Sequence, residues 1–370
     1  MTFAALIILT FAAGTLLIVL SNVMFWPRVK RTRALGVVSV LVPARNEEQT
    51  LPVLLESLRG QAAICEILIA NDHSTDQTQA VIDACAKEDT RIRGIFPAPL
   101  PAGWCGKNWA CASLAAEAQG EWLLFLDADT KLEPGAVESL LGETVARKLT
   151  FLSCWPALEM RGFTERLLMP MLNFVLLTLY PAALALWRMN DASLGLGHGA
   201  CMFFRRAEYF SVGGHRAVRG EIFEDSRLAQ LWRRQGLRGL CLDGRGVVSV
   251  RMYRTLAEIW RGFSKNLFPA FKHQASFWLF WLLHAAVFLA PFGLMWLEGM
   301  AGWLFVAAGG CVVAARLALA IRFGHSWWSV LLHPLAQVFV LALGLSSWLS
   351  VVSGRGVSWK GRTYLHAEAS

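Results

Sequence analysis

The stretch EWLLFLDADT, residues 121–130, is an apolar run that ends in two aspartates separated by one alanine. Five apolar residues in succession, Trp122 to Leu126, are typical of a strand that is buried on both faces of a sheet. Asp127 and Asp129 follow at its end, where repulsion and loss of hydration both oppose a pair of like charges. A cation between the two carboxylates would remove this conflict.

The composition indicates a membrane protein with a water-soluble part. Of 370 residues, 55% are hydrophobic and 17% are charged, and the mean hydropathy is +0.44. Soluble domains carry about 25% charged residues. The net charge of +8 suits anionic lipid headgroups and a phosphorylated substrate, and because the sequence has no nucleic-acid-binding motif we expect no nucleic-acid partner.

Two apolar regions predict the membrane segments. Residues 2–26 are uncharged and long enough to cross a bilayer, so residues 1–27 are interpreted as an anchor. The basic segment PRVKRTR follows and predicts that the chain continues in the cytoplasm. The second region, 277–352, divides into about three further spans, at roughly 277–297, 300–320 and 327–352.

The C-terminal tail, residues 353–370, is basic and its side of the membrane stays open. One anchor and three spans place it outside, whereas its positive charge favours the cytoplasm.

Between residues 34 and 270, strand-like segments alternate with helical ones. GVVSVLVPA (36–44) and EILIAND (66–72) are nearly continuous apolar runs, each followed by a polar turn and a helical pattern. This alternation predicts an α/β fold with a mostly parallel sheet and helices on both faces. Because ligands of such sheets bind beyond the carboxyl ends of the strands, Asp72, Asp127 and Asp129 are expected to converge on one crevice.

The DAD segment is a candidate metal site. Residues i and i+2 of an extended chain point to the same side, so Asp127 and Asp129 could share one Mg²⁺ or Mn²⁺ that takes its other ligands from substrate phosphates. The alternative is a turn in which the aspartates cap the next segment of the chain.

Several motifs together resemble the family 2 glycosyltransferases, which have the GT-A fold, a Rossmann-like α/β fold. The motifs are VSVLVPARNEEQTLPVLLESL, EILIANDHSTDQT, GWCGKNWA, EWLLFLDADT, RGEIFEDSRLAQLWRRQG and VSVRMYRTLAEIWRGFSKNLF. Within the family, the chain looks most like membrane-anchored bacterial members of the diaponeurosporenoate (carotenoid) and hopanoid-associated types. The resemblance covers about residues 34–270 and is more specific for the family than for a substrate.

The resemblance implies roles for individual residues. The donor nucleotide would be bound by Pro43, Ala44, Glu47, Asp72, Lys107, Asp127, Arg251 and Arg254. Asp129 and Asp127 would bind the metal ion, and Asp225 would be the catalytic base with Glu224 beside it. Thr255 stands where related enzymes have a tryptophan, a departure that argues against processive polysaccharide synthases.

These residue types suit displacement at an anomeric carbon, which builds negative charge on the departing nucleoside diphosphate. Simpler interpretations remain open. Asp225 could cap the helix that it precedes, Lys107 could be a solvated loop lysine, and His198 could be a turn or core histidine.

Two further apolar segments are expected at the membrane surface. Residues 167–187 are uncharged and long enough to span, but a crossing there would separate Asp225 from Asp129, so an interfacial or re-entrant element is predicted. Residues 255–272 carry an apolar stripe and basic residues, as in a helix that lies on headgroups.

The expected function is transfer of a sugar from a nucleotide sugar, most naturally a UDP-sugar, to a membrane lipid or isoprenoid. The enzyme would be a multi-pass protein of the bacterial inner membrane with a cytoplasmic catalytic domain. The alternatives are a processive polysaccharide synthase and a non-catalytic GT-A-like membrane scaffold.

Overall fold

The computed structural model describes residues 1–32, 34–271, 273–353, 357–360 and 362–364. The strands are β1 Val38–Ala44, β2 Ile64–Asn71, β3 Ile92–Ile95, β4 Trp122–Leu126, β5 Thr130–Leu132, β6 Phe151–Trp155, β7 Ala157–Leu158, β8 Cys201–Arg205, β9 Gly239–Asp243, β10 Val248–Val250, β11 Val357–Trp359 and β12 Arg362–Tyr364.

The helices are α1 Thr2–Phe25, α2 Leu51–Leu58, α3 Thr78–Glu88, α4 Gly106–Glu117, α5 Ala136–Arg147, α6 Phe163–Leu168, α7 Pro170–Leu177, α8 Ala182–Trp187, α9 Arg206–Ser211, α10 Gly214–Ala217, α11 Glu224–Arg234, α12 Leu256–Ser264, α13 Gln274–Phe288, α14 Ala290–Leu294, α15 Met300–Phe323, α16 Trp327–Leu331 and α17 His333–Val352. A short 3₁₀ helix covers Ala192–Leu194.

The chain divides into two compact units, of which one contains residues 27–159 and 184–252. This soluble unit is built on a sheet of seven strands in the order β3-β2-β1-β4-β8-β6-β9. The first four strands are mutually parallel, as are β6 and β9, whereas β8 runs antiparallel to both of its neighbours. The predicted α/β fold with a mostly parallel sheet is therefore confirmed.

The apolar strands are buried on both faces because successive side chains point to opposite sides of a sheet. In β4, Leu124 and Leu126 belong to one core cluster, and Leu123 and Phe125 belong to the other. This two-sided burial explains why the opening stretch of sequence is continuously apolar instead of alternating.

The sheet brings distant polar residues to one edge. Strands β2 and β4 both flank β1 in parallel, so Asp72 and Asp127 follow at the same edge of the sheet, on either side of β1. A second, three-stranded sheet pairs β10 antiparallel with β5 and sets Val250 opposite Thr130. Arg251, the residue after β10, therefore lies beside the DAD segment.

The other compact unit contains residues 1–26, 160–183 and 253–370. Four helical stretches of its described part are long and apolar enough to cross a membrane, namely Thr2–Phe25, Gln274–Leu294, Met300–Phe323 and His333–Val352. Helix α15 packs along α1, and the Arg322 guanidinium donates a hydrogen bond to the carbonyl of Trp26 at 2.9 Å.

The boundary between the two units differs from the division expected at residues 34–270. Residues 160–183 group with the apolar helices, as does the chain from Tyr253 onward. Within the predicted interfacial segment 167–187, the helices are short, and α7 has eight residues and begins at Pro170. Part of the tail expected at 353–370 lies outside the described residues.

The segment predicted as an amphipathic helix at 255–272 is shorter than expected, because α12 ends at Ser264. Its buried positions are Ile259 and Gly262, whereas its first residue, Leu256, is 47% exposed.

Candidate active site

An ion cluster of Lys107, Asp127 and Glu224 lies at the carboxyl edge of the main sheet. The Nζ of Lys107 is 2.7 Å from Oδ1 of Asp127 and 2.8 Å from Oε1 of Glu224. Burial alone would lower the pKa of Lys107, but the charges of the two carboxylates raise it well above its ordinary value. Lys107 is therefore a fixed cation between two acids, and the solvated-loop alternative does not describe it.

Helix α4 positions this lysine against the distant acid Glu224. The side-chain amide nitrogen of Asn108 lies within hydrogen-bonding distance of three carbonyl groups of a single loop, those of Val218 (2.8 Å), Arg219 (3.1 Å) and Glu221 (2.9 Å), so that one of its two N–H groups is shared. The backbone N–H of Cys105 adds another hydrogen bond, to the carbonyl of Arg219 at 2.7 Å. Because this loop leads directly into α11, these bonds bring Glu224 to Lys107, the residue that precedes Asn108.

Asp225 lies in the first turn of α11, where the helix dipole favours a carboxylate. Its Oδ2 accepts a hydrogen bond from the N–H of Gly199 at 2.9 Å, and its Oδ1 accepts one from the N–H of Ser226 at 2.6 Å. Phe223, not Asp225, is the N-cap residue. Burial first, and then the charge of Glu224, raise the pKa of Asp225 to about 7, where a general base is most effective.

The turn before β8, residues 197–200, contains His198, which the sequence analysis interpreted as a turn or core histidine, and Gly199, to which it gave no role. The Nδ1 of His198 accepts a hydrogen bond from the N–H of Ala200 at 3.2 Å, and its ring meets the Trp155 ring edge-on at 4.8 Å. Burial lowers the pKa of His198 to about 4, so the ring is neutral at physiological pH. The glycines that flank His198 in the sequence GLGHGA indicate a close approach of the backbone to other groups, which is the feature that marks this turn in the sequence.

Because Gly199 has no side chain, Lys107 can occupy the space beside it. A Cβ atom at this position would lie 2.6 Å from Nζ of Lys107, 3.4 Å from Oδ2 of Asp127 and 3.5 Å from Oε1 of Glu224. A side chain here would therefore displace Lys107 from its position between the two acids, whereas the backbone conformation does not demand glycine.

The DAD segment forms a turn and not the extended chain that we expected. The N–H of Thr130 donates to the carbonyl of Asp127 at 3.1 Å, and the Thr130 hydroxyl donates to the carbonyl of Ala200 at 3.1 Å. The argument that alternate residues of a strand face the same side therefore does not apply to Asp127 and Asp129. Both side chains are half-buried.

The donor set nevertheless suits a hard divalent cation. No group of three potential ligands from His, Cys, Asp and Glu occurs among the residues that the structure describes. Mg²⁺ is usually held by one or two carboxylates together with substrate phosphates, so the pair Asp127 and Asp129 fits such an ion once a diphosphate is present.

The residues expected around the nucleoside lie at the ends of β1 and β2. The N–H of Asp72 donates to the carbonyl of Ala44 at 2.8 Å, which extends the pairing of the two strands past Pro43, and Asp72 is only 3% exposed. The N–H of Glu47 donates to the hydroxyl of Thr78 at 2.8 Å. The structure therefore brings these four predicted residues to one edge of the sheet.

The two predicted arginines fall in different units. Arg251 directly follows β10 in the soluble unit. Arg254 belongs to the other compact unit, residues 1–26, 160–183 and 253–370, called the membrane unit here, and its backbone N–H donates to Oε2 of Glu258 at 2.8 Å. Thr255 caps α12, because its hydroxyl accepts the N–H of Glu258 at 3.2 Å.

Comparison with known proteins identifies the class. Residues 39–209 match the model of the family described as "Glycosyl transferase family 2", and the chain is a glycosyltransferase. A mannosyltransferase from Pyrobaculum calidifontis, solved in complex with GDP-Man and Mn²⁺, has a similar fold, with a TM-score of 0.52 at 16% identity over 95% of this chain and 98% of that one.

The similar curated proteins are 4,4'-diaponeurosporenoate glycosyltransferases. The protein from Staphylococcus aureus is 25% identical over 339 residues, which cover 88% of each chain. The protein from Staphylococcus haemolyticus is 28% identical over 229 residues, and this match spans 60% of each protein.

Proposed function

We propose that this chain transfers a sugar from a nucleotide-sugar donor, most naturally a UDP-sugar, to an isoprenoid or lipid of the bacterial inner membrane. The reaction is a single displacement with inversion at the anomeric carbon. The carotenoid-type acceptor is favoured by the names of the similar curated proteins, and the membrane location by the four apolar helices.

The observation that supports this proposal most directly is the cluster of Lys107, Asp127 and Glu224 beside Asp225. It places three groups at the carboxyl edge of a parallel sheet: the cation Lys107, the carboxylate Asp127, which is of the type that binds divalent metal ions, and Asp225, whose pKa is about 7. Ligands of such sheets bind at this edge. Transfer from a nucleoside diphosphate to a hydroxyl acceptor can use all three kinds of group.

The donor diphosphate lies at the DAD turn. Asp127 and Asp129 hold Mg²⁺ or Mn²⁺, which supplies positive charge to the diphosphate when bound. Lys107 and Arg251 add cations that stabilise the charge of the leaving group in a site partly closed to water. Pro43, Ala44, Glu47 and Asp72 line the nucleoside side.

Asp225 takes the proton of the acceptor. Its pKa of about 7 leaves a substantial ionised fraction at neutral pH and keeps the carboxylate basic enough to deprotonate a hydroxyl in the transition state. A carboxylate acceptor, which the name diaponeurosporenoate denotes for the similar proteins, arrives already ionised and needs no base. Glu224 raises the pKa of Asp225 and holds Lys107.

The catalytic unit faces the cytoplasm, because the basic segment PRVKRTR follows the first apolar helix. Thr255 caps α12 and offers no ring for stacking on a growing sugar polymer, which supports a lipid acceptor over a processive synthase.

The full-length chain in lipid nanodiscs tests the proposal. It is incubated with labelled UDP-glucose, UDP-GlcNAc or GDP-mannose and a bacterial lipid extract, with Mn²⁺ or with EDTA. We expect one donor to label a product that partitions into organic solvent, only with metal. Absence of both transfer and donor hydrolysis with all three donors would contradict the proposal.

A further inference from the structure

The last long apolar helix, α17, runs antiparallel to α13. Four contacts join the two helices in succession, and residue numbers that rise along α17 fall along α13. The contacting pairs are His333 with Phe288, Gln337 with His284, Leu341 with Trp281 and Trp348 with Trp278. The first three are hydrogen-bond distances of 3.2, 3.1 and 2.9 Å, and the fourth is a ring contact with centroids 5.1 Å apart. The end of α17 therefore lies beside the start of α13.

Helix α15 also runs antiparallel to the stretch that α13 and α14 form. A Cβ atom on Gly309 would lie 3.8 Å from the ring of Phe292 and 3.9 Å from Cβ of Pro291. Nearer the start of α15, a Cβ atom on Gly302 would meet the carbonyl of Leu297. Because α15 and α17 are each antiparallel to the same stretch, they run parallel to each other. Two successive helices that both cross a membrane would instead run in opposite directions.

Aromatic contacts show where along α15 the next long helix begins. The ring of Phe292, which lies beside Gly309, is 5.9 Å from the ring of His333, the first residue of α17. The Phe174 ring lies 4.9 Å from His333 and 5.6 Å from the guanidinium carbon of Arg316. Gly309 and Arg316 precede the end of α15 by about four and two turns, or roughly 20 and 10 Å. The connection through α16 therefore turns back along α15, and α17 begins within the apolar layer.

Arg316 accounts for the helix break at this depth. Its side chain is fully buried, and its guanidinium donates to the carbonyl of Ser329 in α16 at 3.2 Å and to that of Pro170 at the start of α7 at 3.4 Å. Pro334, the second residue of α17, has no N–H with which to continue the hydrogen bonding of α16. Interrupted backbone is tolerated in the apolar layer only where protein groups satisfy its polar atoms. A charge that is otherwise costly inside a span thus stabilises the turn.

We propose that α16 and α17 form a re-entrant hairpin, which enters the apolar layer and leaves it on the same side. The chain after α17 then lies on the side of the membrane where α15 ends and α13 begins. The C-terminal tail carries Arg355, Lys360 and Arg362, and such residues concentrate in cytoplasmic segments. A cytoplasmic tail follows from the hairpin together with the orientation given under the proposed function, and it removes the conflict between the number of spans and the charge of the tail.

Cysteine labelling of the full-length protein in spheroplasts tests the hairpin without donor or acceptor. Cys65, which is exposed, is first replaced by Ser. Single cysteines are then introduced at three exposed positions: Gln274→Cys at the start of α13, Glu298→Cys between α14 and α15, and Ser353→Cys after α17. A membrane-impermeant maleimide is added before or after permeabilisation. We expect Glu298→Cys to react in intact spheroplasts, and Gln274→Cys and Ser353→Cys to react only after permeabilisation.

The hairpin requires Ser353→Cys to behave like Gln274→Cys. If Ser353→Cys instead reacts together with Glu298→Cys, α17 crosses the membrane and the proposal is overturned. If Gln274→Cys and Ser353→Cys both react in intact spheroplasts, the hairpin stands and the cytoplasmic orientation of the proposed function fails.

Reporter fusions to the C-terminus of the wild-type chain give a second measurement that needs no introduced cysteine. Green fluorescent protein, exported as an unfolded chain, fluoresces only in the cytoplasm, whereas alkaline phosphatase needs the disulfides that form outside it. We expect fluorescence and no phosphatase activity. Phosphatase activity without fluorescence, in a protein whose Gln274→Cys variant is protected in intact spheroplasts, would overturn the hairpin.

Discussion

Lys107 lies 2.8 Å from Glu224 and 2.7 Å from Asp127, so that one ammonium group joins the start of α4 to the DAD turn and to the first turn of α11. The two acids would repel each other without it. The donor diphosphate would arrive at a site whose own charges are already paired.

Replacement of Lys107 by Met should lower kcat/KM by roughly 10²–10³-fold, the range found when one group that stabilises developing charge is removed. The lost cation leaves Asp127 and Glu224 uncompensated and removes positive charge from the leaving group. Initial rates over a series of donor concentrations measure the effect. Lys131→Met, at an exposed position on β5, is the control and should keep wild-type rates; wild-type activity in the Lys107 variant would refute the role.

Gly199→Ala should impair transfer while leaving the fold intact. The added Cβ would lie 2.6 Å from Nζ of Lys107, and because this atom is the end of a flexible side chain it can move aside. That movement breaks the ion cluster, so activity should fall toward that of the Lys107 variant while the thermal unfolding temperature changes little. Gly60→Ala is the matched control, since nothing lies within 4 Å of a Cβ there. If Gly199→Ala is fully active, the cluster is not needed for transfer.

Asp225→Asn should distinguish the two classes of acceptor. With a hydroxyl acceptor, wild-type kcat/KM should rise with pH and level off above about 7, because the ionised carboxylate is the base. The variant should be roughly 10²–10⁴-fold slower and lack this pH dependence. With a carboxylate acceptor the variant should keep most of its activity. A pH profile unchanged by the substitution would remove Asp225 from its role.

The stability of the folded protein should change with pH in the opposite sense to kcat/KM, because it should fall as the pH rises. The pKa of Asp225 is raised from 3.8 to about 7 by folding, so the folded state holds this proton more tightly than the unfolded state does. The resulting stabilisation is complete below pH 3.8 and is lost as the pH rises through 7. The unfolding temperature of Asp225→Asn relative to wild type should therefore increase between pH 5 and pH 8. A constant difference between these pH values would show that folding does not shift the pKa.

Metal binding should depend on the DAD turn and on the nucleotide together. Electron paramagnetic resonance of Mn²⁺ should show weak binding to the protein alone and tighter binding with a nucleoside diphosphate, whose oxygen atoms complete the coordination. Asp127→Asn should lose the bound signal. Asp83→Asn, which alters an exposed acid on α3, should retain it; loss in both variants would point to a nonspecific charge effect.

Strand and span positions could be predicted from sequence because they depend on local patterns. The apolar run before Asp127 shows a strand buried on both faces, and the uncharged stretch from residue 2 to residue 26 is long enough to cross a bilayer. The motifs around Asp72, Asp127 and Asp225 indicated the class of enzyme. The strand and span positions follow from side-chain periodicity and chain length, which need no knowledge of distant partners, whereas the class of enzyme followed from the resemblance of these motifs to a known family.

Only the tertiary structure decided which groups surround the carboxylates. Strand β8 enters the sheet antiparallel beside β4 and so brings Gly199 against Asp127, whereas Asn108 ties the loop before α11 to α4 and thereby gives Lys107 its second acid. No periodic pattern records which strands become neighbours or which buried charge receives a partner. Those outcomes depend on packing between segments far apart in the chain, where shape and desolvation of the whole unit outweigh local preference.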